Sequence, residues 1–292
     1  MTLTSAYLLV SHGSRDPRPQ IALERLSYLV EEELKHLKFN HHDNSSTVSS
    51  FNQREKSNNE ILEEKPNYYF RKTLRKKIGG RNSVVIAPQL TIVETASLEL
   101  SEVSLSQKIQ QFVTKLQNMG INNLKIVPLF LLPGVHVRED IPREIAIAQE
   151  TINPKINIEL CPYLGSYKGL IKIIARQFSS HPQNARIIIA HGSRRHGGND
   201  SVEAIASQLN AKVAYWSIEP SLSDQVDALV KQGKTQITIV PYFLFTGGIT
   251  TVIKEQVQQL QNSLPQTQLN LGQPLGATPE LAQLMVSQLI DN

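Results

Sequence analysis

Short apolar runs recur along this chain, and each is followed by a longer stretch with helical spacing. Ala6–Val10 (AYLLV) and Arg186–Ala190 (RIIIA) set the type. Runs this short and this rich in Val, Ile and Leu predict strands buried on both faces of a parallel sheet. The pattern predicts strands near 6–11, 91–99, 124–132 and 156–161, then near 185–190, 212–218, 236–245 and 268–273. Between them it predicts helices near 19–37, 105–118, 140–150 and 167–179, then near 200–210, 222–232, 251–262 and 279–290. Val226, Leu229 and Val230 share one helical face, and Gly233 ends that helix as a C-cap. Strict alternation of strand and helix implies parallel sheets with helices on both faces, an α/β fold.

The second half of the pattern repeats the first. His12-Gly-Ser-Arg15 follows the first apolar run, and His191-Gly-Ser-Arg194 follows the run at 186–190. Ser97–Leu105 matches Ala214–Leu222, with Glu99 opposite Trp216 and Glu102 opposite Glu219. Ile126–Gly134 matches Ile239–Gly247, and Leu160–Gly165 matches Gly272–Gly276. Matches in one order over most of the chain indicate an internal duplication. They divide the chain into two similar domains, 1–183 and 184–292. The spacing is unequal: 90 positions separate His12 from Glu102, but only 28 separate His191 from Glu219. The surplus falls in 40–82, a polar stretch with few periodic apolar residues, read as an insertion between the first helix and the second strand.

Composition narrows the function classes. The single cysteine, Cys161, excludes an internal disulfide framework and fits a reducing, cytoplasmic compartment. No secretory signal is apparent, and no apolar run reaches membrane-spanning length. The formal charge is +4, but Lys and Arg form no dense stripe with interleaved aromatics, so nucleic acid is not the expected partner. A small polyanion suits the same mild basicity.

Ligands of open α/β sheets bind at the carboxyl ends of strands, which is where His12 stands. Read alone, His12 is either a turn residue or a functional imidazole. His136, in Pro133-Gly-Val-His136-Val-Arg-Glu-Asp140, follows another strand end, so both rings converge on one crevice. Two imidazoles suit a divalent first-row metal, and an imidazole also suits proton abstraction at neutral pH. Glu99 and Glu102 follow the second strand; each is either a site carboxylate or a helix-start acid favoured by the macrodipole. Arg15, Arg18, Arg138, Arg194 and Arg195 lie beside the same loops and could pair with carboxylates. Asp140 is expected to cap the helix that carries Pro142. Cys161 reads as a small core residue. No phosphate-binding Gly-x-x-x-x-Gly-Lys-[Ser/Thr] loop is present.

These residues resemble the CbiX/SirB sirohydrochlorin chelatases, ATP-independent class II tetrapyrrole chelatases. The matching motifs are His12–Arg18, Leu98–Glu102, Pro128–His136 and Asp140–Pro142. The resemblance covers nearly the whole chain outside 40–82. It implies a chelatase-like, flavodoxin-like three-layer fold in each half. It implies insertion of Fe²⁺ or Co²⁺ into sirohydrochlorin with release of two protons, and no organic cofactor. By resemblance, His12 is proton acceptor and metal ligand, and His136 is the second ligand. Glu99 is the further catalytic candidate. Glu102, Leu131, Leu132, Pro133, Gly134, Val135, His136, Arg15 and Arg138 are candidates for the tetrapyrrole site. The partners expected are sirohydrochlorin and the metal, in a monomer or homodimer.

The halves are not equivalent. Ile249 stands opposite His136, and an aliphatic side chain cannot ligate a metal. One site per chain is therefore expected, in the N-terminal half, with His191 either a relic or a substrate contact. A non-catalytic metal or tetrapyrrole carrier on the same scaffold is the alternative. A histidine phosphoesterase is disfavoured, because Ser11 stands where that chemistry wants an arginine.

Overall fold

The computed structural model describes residues 5–43, 91–152 and 156–291. Each half builds one four-stranded parallel sheet. The first contains β1 (Ser5–Ser11), β2 (Ile92–Ser97), β3 (Asn123–Pro128) and β4 (Asn157–Leu160) in the order β2-β1-β3-β4. The second contains β5 (Ala185–Ala190), β6 (Lys212–Tyr215), β7 (Gln236–Pro241) and β8 (Gln268–Leu271) in the order β6-β5-β7-β8. The strand order reverses at β1/β3 and again at β5/β7. Each reversal opens a crevice beyond the carboxyl ends of those strands.

The helices are α1 (Pro17–Asp43), α2 (Leu105–Asn118), α3 (Ile141–Gln149) and α4 (Leu170–Ser179), then α5 (Asp200–Gln208), α6 (Leu222–Lys231), α7 (Gly248–Ser263) and α8 (Pro279–Asp291). All eight predicted strands and helices are present. Helix α1 is longer than its periodicity predicts, so the backbone of 40–43 is helical; the rest of the polar stretch 40–82 lies outside the described residues. Ser104 and Ser221 start α2 and α6 with matching capping boxes, so the duplication extends to helix caps.

Side-chain alternation along the strands explains the layering. Ala6, Leu8 and Val10 of β1 point to α2 and α3, where Ile109, Phe112, Leu116 and Ile145 complete an outer core. Ile187 and Ile189 of β5 likewise face α6 and α7. The opposite faces meet in one shared core. There Tyr7 and Leu9 join Ile188 and Ala190 through residues of α1, α4, α5 and α8, among them Leu26, Phe178, Val202 and Met285. The two halves are thus welded through a common helical layer, and α1 packs on α8. Gly169 lies so close to Leu284 that a Cβ there would sit 2.3 Å from its Cδ1. Gln177 and the Gln273 backbone exchange hydrogen bonds of 2.8 and 2.9 Å.

Strands β2, β3, β6 and β7 end earlier than the apolar runs suggest. Pro128 and Pro241 have no N–H for the ladder, and each is the last residue of its strand. The apolar residues beyond them, Leu129–Leu132 and Tyr242–Phe245, leave the sheet and line a cavity. Hydrophobicity there encodes a cavity wall rather than a longer strand.

Candidate metal and tetrapyrrole site

His12 directly follows β1, and Gly13 has φ +97°, in the region that favours glycine. A Cβ on Gly13 would lie 2.0 Å from the Glu99 carbonyl oxygen. That close approach lets the segment after β2 run alongside His12: the Leu98 N–H donates to the Ser11 carbonyl and the Glu99 N–H to the His12 carbonyl, both at 2.9 Å. Leu100, next in the chain, has φ +57°, an unusual conformation for a residue with a branched side chain. The strained turn sits where Glu99 is presented.

His136 begins a single π-turn, His136–Asp140, that leads into α3. Pro142 explains the wide turn. It has no N–H to donate to the carbonyl four residues back, and its ring crowds that carbonyl. The Ile141 N–H reaches instead to the His136 carbonyl. Asp140 is therefore inside a helical run, with φ −71° and ψ −49°, and its side chain caps nothing. This corrects the expectation of a cap. Its Oδ2 lies 2.8 Å from His136 Nδ1, and its Oδ1 accepts from Arg143 at 2.9 Å. The His136 hydrogen bond, assisted by the Arg143 charge, holds the Asp140 carboxyl below its ordinary value.

Three potential ligands then converge. His12, Glu99 and His136 each offer one ligand atom, and these atoms lie within 4.8 Å of one another. His12 Nε2 is 3.9 Å from one Glu99 carboxylate oxygen, and His136 Nδ1 is 4.0 Å from the other. The two imidazoles meet edge to face with centroids 4.8 Å apart, and Phe130 is tilted against both. In each ring Nδ1 has an acceptor on the protein, Gly13 O at 3.2 Å and Asp140 at 2.8 Å. An Nδ1–H donated to these acceptors leaves on Nε2 the lone pair that a metal or a proton can take.

This cluster opens onto a cavity of about 690 Å³ between the halves, within the size range of small-molecule sites. One wall carries Leu129–Leu132 and the other Tyr242–Phe245. The Tyr242 hydroxyl sits 3.5 Å from the Leu131 carbonyl. A Cβ on Gly165 would lie 2.0 Å from that same carbonyl, and the Gly165 N–H donates to the Phe130 carbonyl at 2.9 Å, so the short turn Leu164–Ser166 after β4 fixes this loop. Of the candidates for the tetrapyrrole site, Leu131, Leu132, Gly134, Val135 and His136 line the cavity. Pro133 is not among its lining residues, and Glu102, Arg15 and Arg138 are exposed outside it. Arg18 is held by Asp16 and donates to Thr251 at 3.1 Å across the two halves.

The second half presents a reduced version. The Ser217 N–H donates to the His191 carbonyl at 2.9 Å, as Glu99 does to His12. Glu99 therefore stands opposite Ser217, not Trp216: the repeat has a one-residue gap between Ser217 and the helix cap Ser221. Ser217 and Ile249 stand where the two other potential ligands would be, so among the described residues the second half offers no equivalent cluster around His191. It lines the shared cavity, where desolvation and then the nearby His12 lower its pKa. Arg195 also lines the cavity, and its Nη1 bonds Glu139 at 2.7 Å. Sequence placed Arg195 beside the loops without distinguishing it from its neighbours; only the fold brings it inside. Cys161 is buried, and burial pushes its thiol up to about 11.

Fold and site together define a duplicated α/β protein that brings a two-histidine, one-carboxylate cluster to an apolar cavity sized for a small molecule. The chain belongs to the CbiX family, whose model matches residues 80–181 and again 185–292. The double match agrees with the duplication. A sirohydrochlorin cobaltochelatase of Priestia megaterium is 26% identical over 66% of this chain and 67% of its own length. A sirohydrochlorin ferrochelatase of the same organism is 25% identical over 68% of this chain and 77% of its own. In fold, the chain is similar to SirB from Bacillus subtilis solved with Fe³⁺. The TM-score is 0.64 and the identity 20%, covering 99% of this chain and 95% of that one.

Proposed function

We propose that this chain is a sirohydrochlorin chelatase, a lyase that inserts Fe²⁺ or Co²⁺ into sirohydrochlorin for siroheme or cobalamin synthesis. The convergence of His12, Glu99 and His136 at the mouth of an apolar cavity carries this reading, and the cobalto- and ferrochelatase relatives support it. The metal is a substrate here. Insertion removes two pyrrole N–H protons while the dication enters, so the charge of the macrocycle core is balanced. His12 and His136 hold the incoming ion through Nε2, and Glu99 offsets part of its charge. The imidazole and the carboxylate freed as the ion passes to the macrocycle accept the protons, which leave to solvent through the exposed His12 side. The facing loops 129–132 and 242–245 bury the flat faces of the tetrapyrrole.

Domains 1–183 and 184–292 each contribute one wall, so a single chain supplies a complete cavity and functions as a monomer or as a dimer of complete units. No helix among the described residues is long and apolar enough to cross a membrane. The buried, reduced cysteine suits the cytoplasm. Anaerobic incubation with sirohydrochlorin and Co²⁺ or Fe²⁺ tests the function. A chelatase produces metallated product over many equivalents of protein, and His12→Ala and His136→Ala abolish it. Product that stops at one equivalent makes the chain a carrier.

A further inference from the structure

Arg195 is the only Lys or Arg among the described residues that line the cavity, and no Asp or Glu lines it. It belongs to the C-terminal half, two residues past the His191-Gly-Ser193 turn, and its backbone N–H is held by Ser193 Oγ at 3.2 Å. Its guanidinium reaches the N-terminal half, where Nη1 meets Glu139 Oε1 at 2.7 Å. Glu139 lies in the π-turn that presents His136 and Asp140. Both partners are about half exposed, 50% for Arg195 and 56% for Glu139, so this pair is weak and exchangeable. A guanidinium is a fork with five donors, and a single Glu139 oxygen engages one of its nitrogens. The cavity that Arg195 lines offers no other anion among the described residues.

We infer that Arg195 is the receptor for a peripheral carboxylate of the tetrapyrrole, and that Glu139 occupies it in competition with the substrate. The inference rests on the proposed function for the identity of the ligand. Bidentate capture of a carboxylate is geometrically favoured over the single contact with Glu139. The exchange anchors one edge of the macrocycle at the C-terminal wall and so limits its rotation in the plane. It also releases Glu139 from the turn carrying the metal-handling residues only when the macrocycle is seated.

The two partners predict opposite effects, which a merely structural clasp does not. Arg195→Gln raises the KM for sirohydrochlorin about tenfold and leaves the KM for the metal in place. Arg195→Lys restores part of the loss. Glu139→Gln lowers the KM for sirohydrochlorin about two- to fivefold, the scale of an exposed ion pair removed. A metal-free arm makes the test independent of turnover: a porphyrin octacarboxylate is titrated by its Soret shift against wild type and both variants, with its octamethyl ester as control. Weaker binding in Arg195→Gln, tighter binding in Glu139→Gln, and no difference for the ester support the inference. If both substitutions weaken binding alike, the pair only ties the halves together and the inference is overturned. If the octacarboxylate separates the variants but wild type produces no metallated product, the carboxylate receptor stands and the chelatase reading fails.

Discussion

Replacing Asp140 should weaken the metal site without touching a metal ligand. Its Oδ2 accepts a hydrogen bond from His136 Nδ1–H at 2.8 Å, which leaves Nε2 for the ion. In Asp140→Ala the imidazole can adopt either tautomer and rotate, because the carboxylate that fixes Nδ1 is gone. A hydrogen bond to a charged group contributes about 1.5–3 kcal/mol, and the Asp140 side chain is only 20% exposed, so solvent screening takes a minor part of it. Loss of such a partner typically lowers metal affinity about 10- to 100-fold, or roughly 1.4–2.7 kcal/mol, and the two magnitudes agree. Asp140→Asn keeps an acceptor for Nδ1–H but loses the charge, so its loss should be about tenfold or less. Arg143→Ala should do little, since that side chain is 62% exposed. The assay is anaerobic Co²⁺ titration of the substrate-free protein followed by visible absorption, with His136→Ala as reference and a thermal melt of each variant. The reasoning is refuted if both Asp140 variants stay folded and bind Co²⁺ within twofold of wild type while His136→Ala does not.

Gly13→Ala should both destabilise the protein and impair the metal site. A left-handed L-residue costs roughly 1–2 kcal/mol, and relieving the 2.0 Å approach to the Glu99 carbonyl adds about 1–3 kcal/mol; Gly134→Ala, with nothing within 4 Å, should retain wild-type stability in a urea melt. His191 contributes to acid sensitivity. Its folded pKa lies below the ordinary 6.5, so the unfolded chain takes up a proton that the folded one refuses. Stability should therefore fall as pH drops through 6.5 and level off below the folded value, and His191→Gln should flatten that part of a urea-midpoint profile; an unchanged slope refutes the assignment. Cys161, with its thiol pushed up to about 11, should resist a thiol-labelling reagent at pH 8 in the native protein and react at once in denaturant; rapid native labelling would contradict its burial.

The duplication, the alternation of strand and helix, and the placement of His12 and His136 beyond strand ends were legible because they depend on local period and on short repeated phrases. β1, β5 and α2 were predicted to within a residue, since their apolar runs stop at polar neighbours. Where apolar residues continue past a strand, at Leu129–Leu132 and Tyr242–Phe245, the same signal overstates the strand, because a buried strand and a cavity wall call for the same side chains. Glu99 and Glu102 lie three residues apart on one loop, and in sequence only the repeat alignment, with Glu219 opposite Glu102, favoured Glu99 as the catalytic acid. The parallel register of β1 on β2, with the close approach at Gly13, brings only Glu99 to the histidines.

Asp140 reads as a helix cap because an acid before a proline usually is one. The π-turn that carries it back to His136 arises from the clash between Pro142 and the preceding turn. The gap after Ser217 is likewise visible only where backbone hydrogen bonds fix which residue stands opposite Glu99. The sequence by itself therefore determined the order of elements and the strand ends at which chemistry occurs, because those follow from short apolar runs and the 3.6-residue helical period. The cavity, its paired apolar walls and the position of Arg195 were decided by tertiary structure alone. They form where two sheets pack on a shared layer of helices, and no local pattern records which loops of one half will face those of the other.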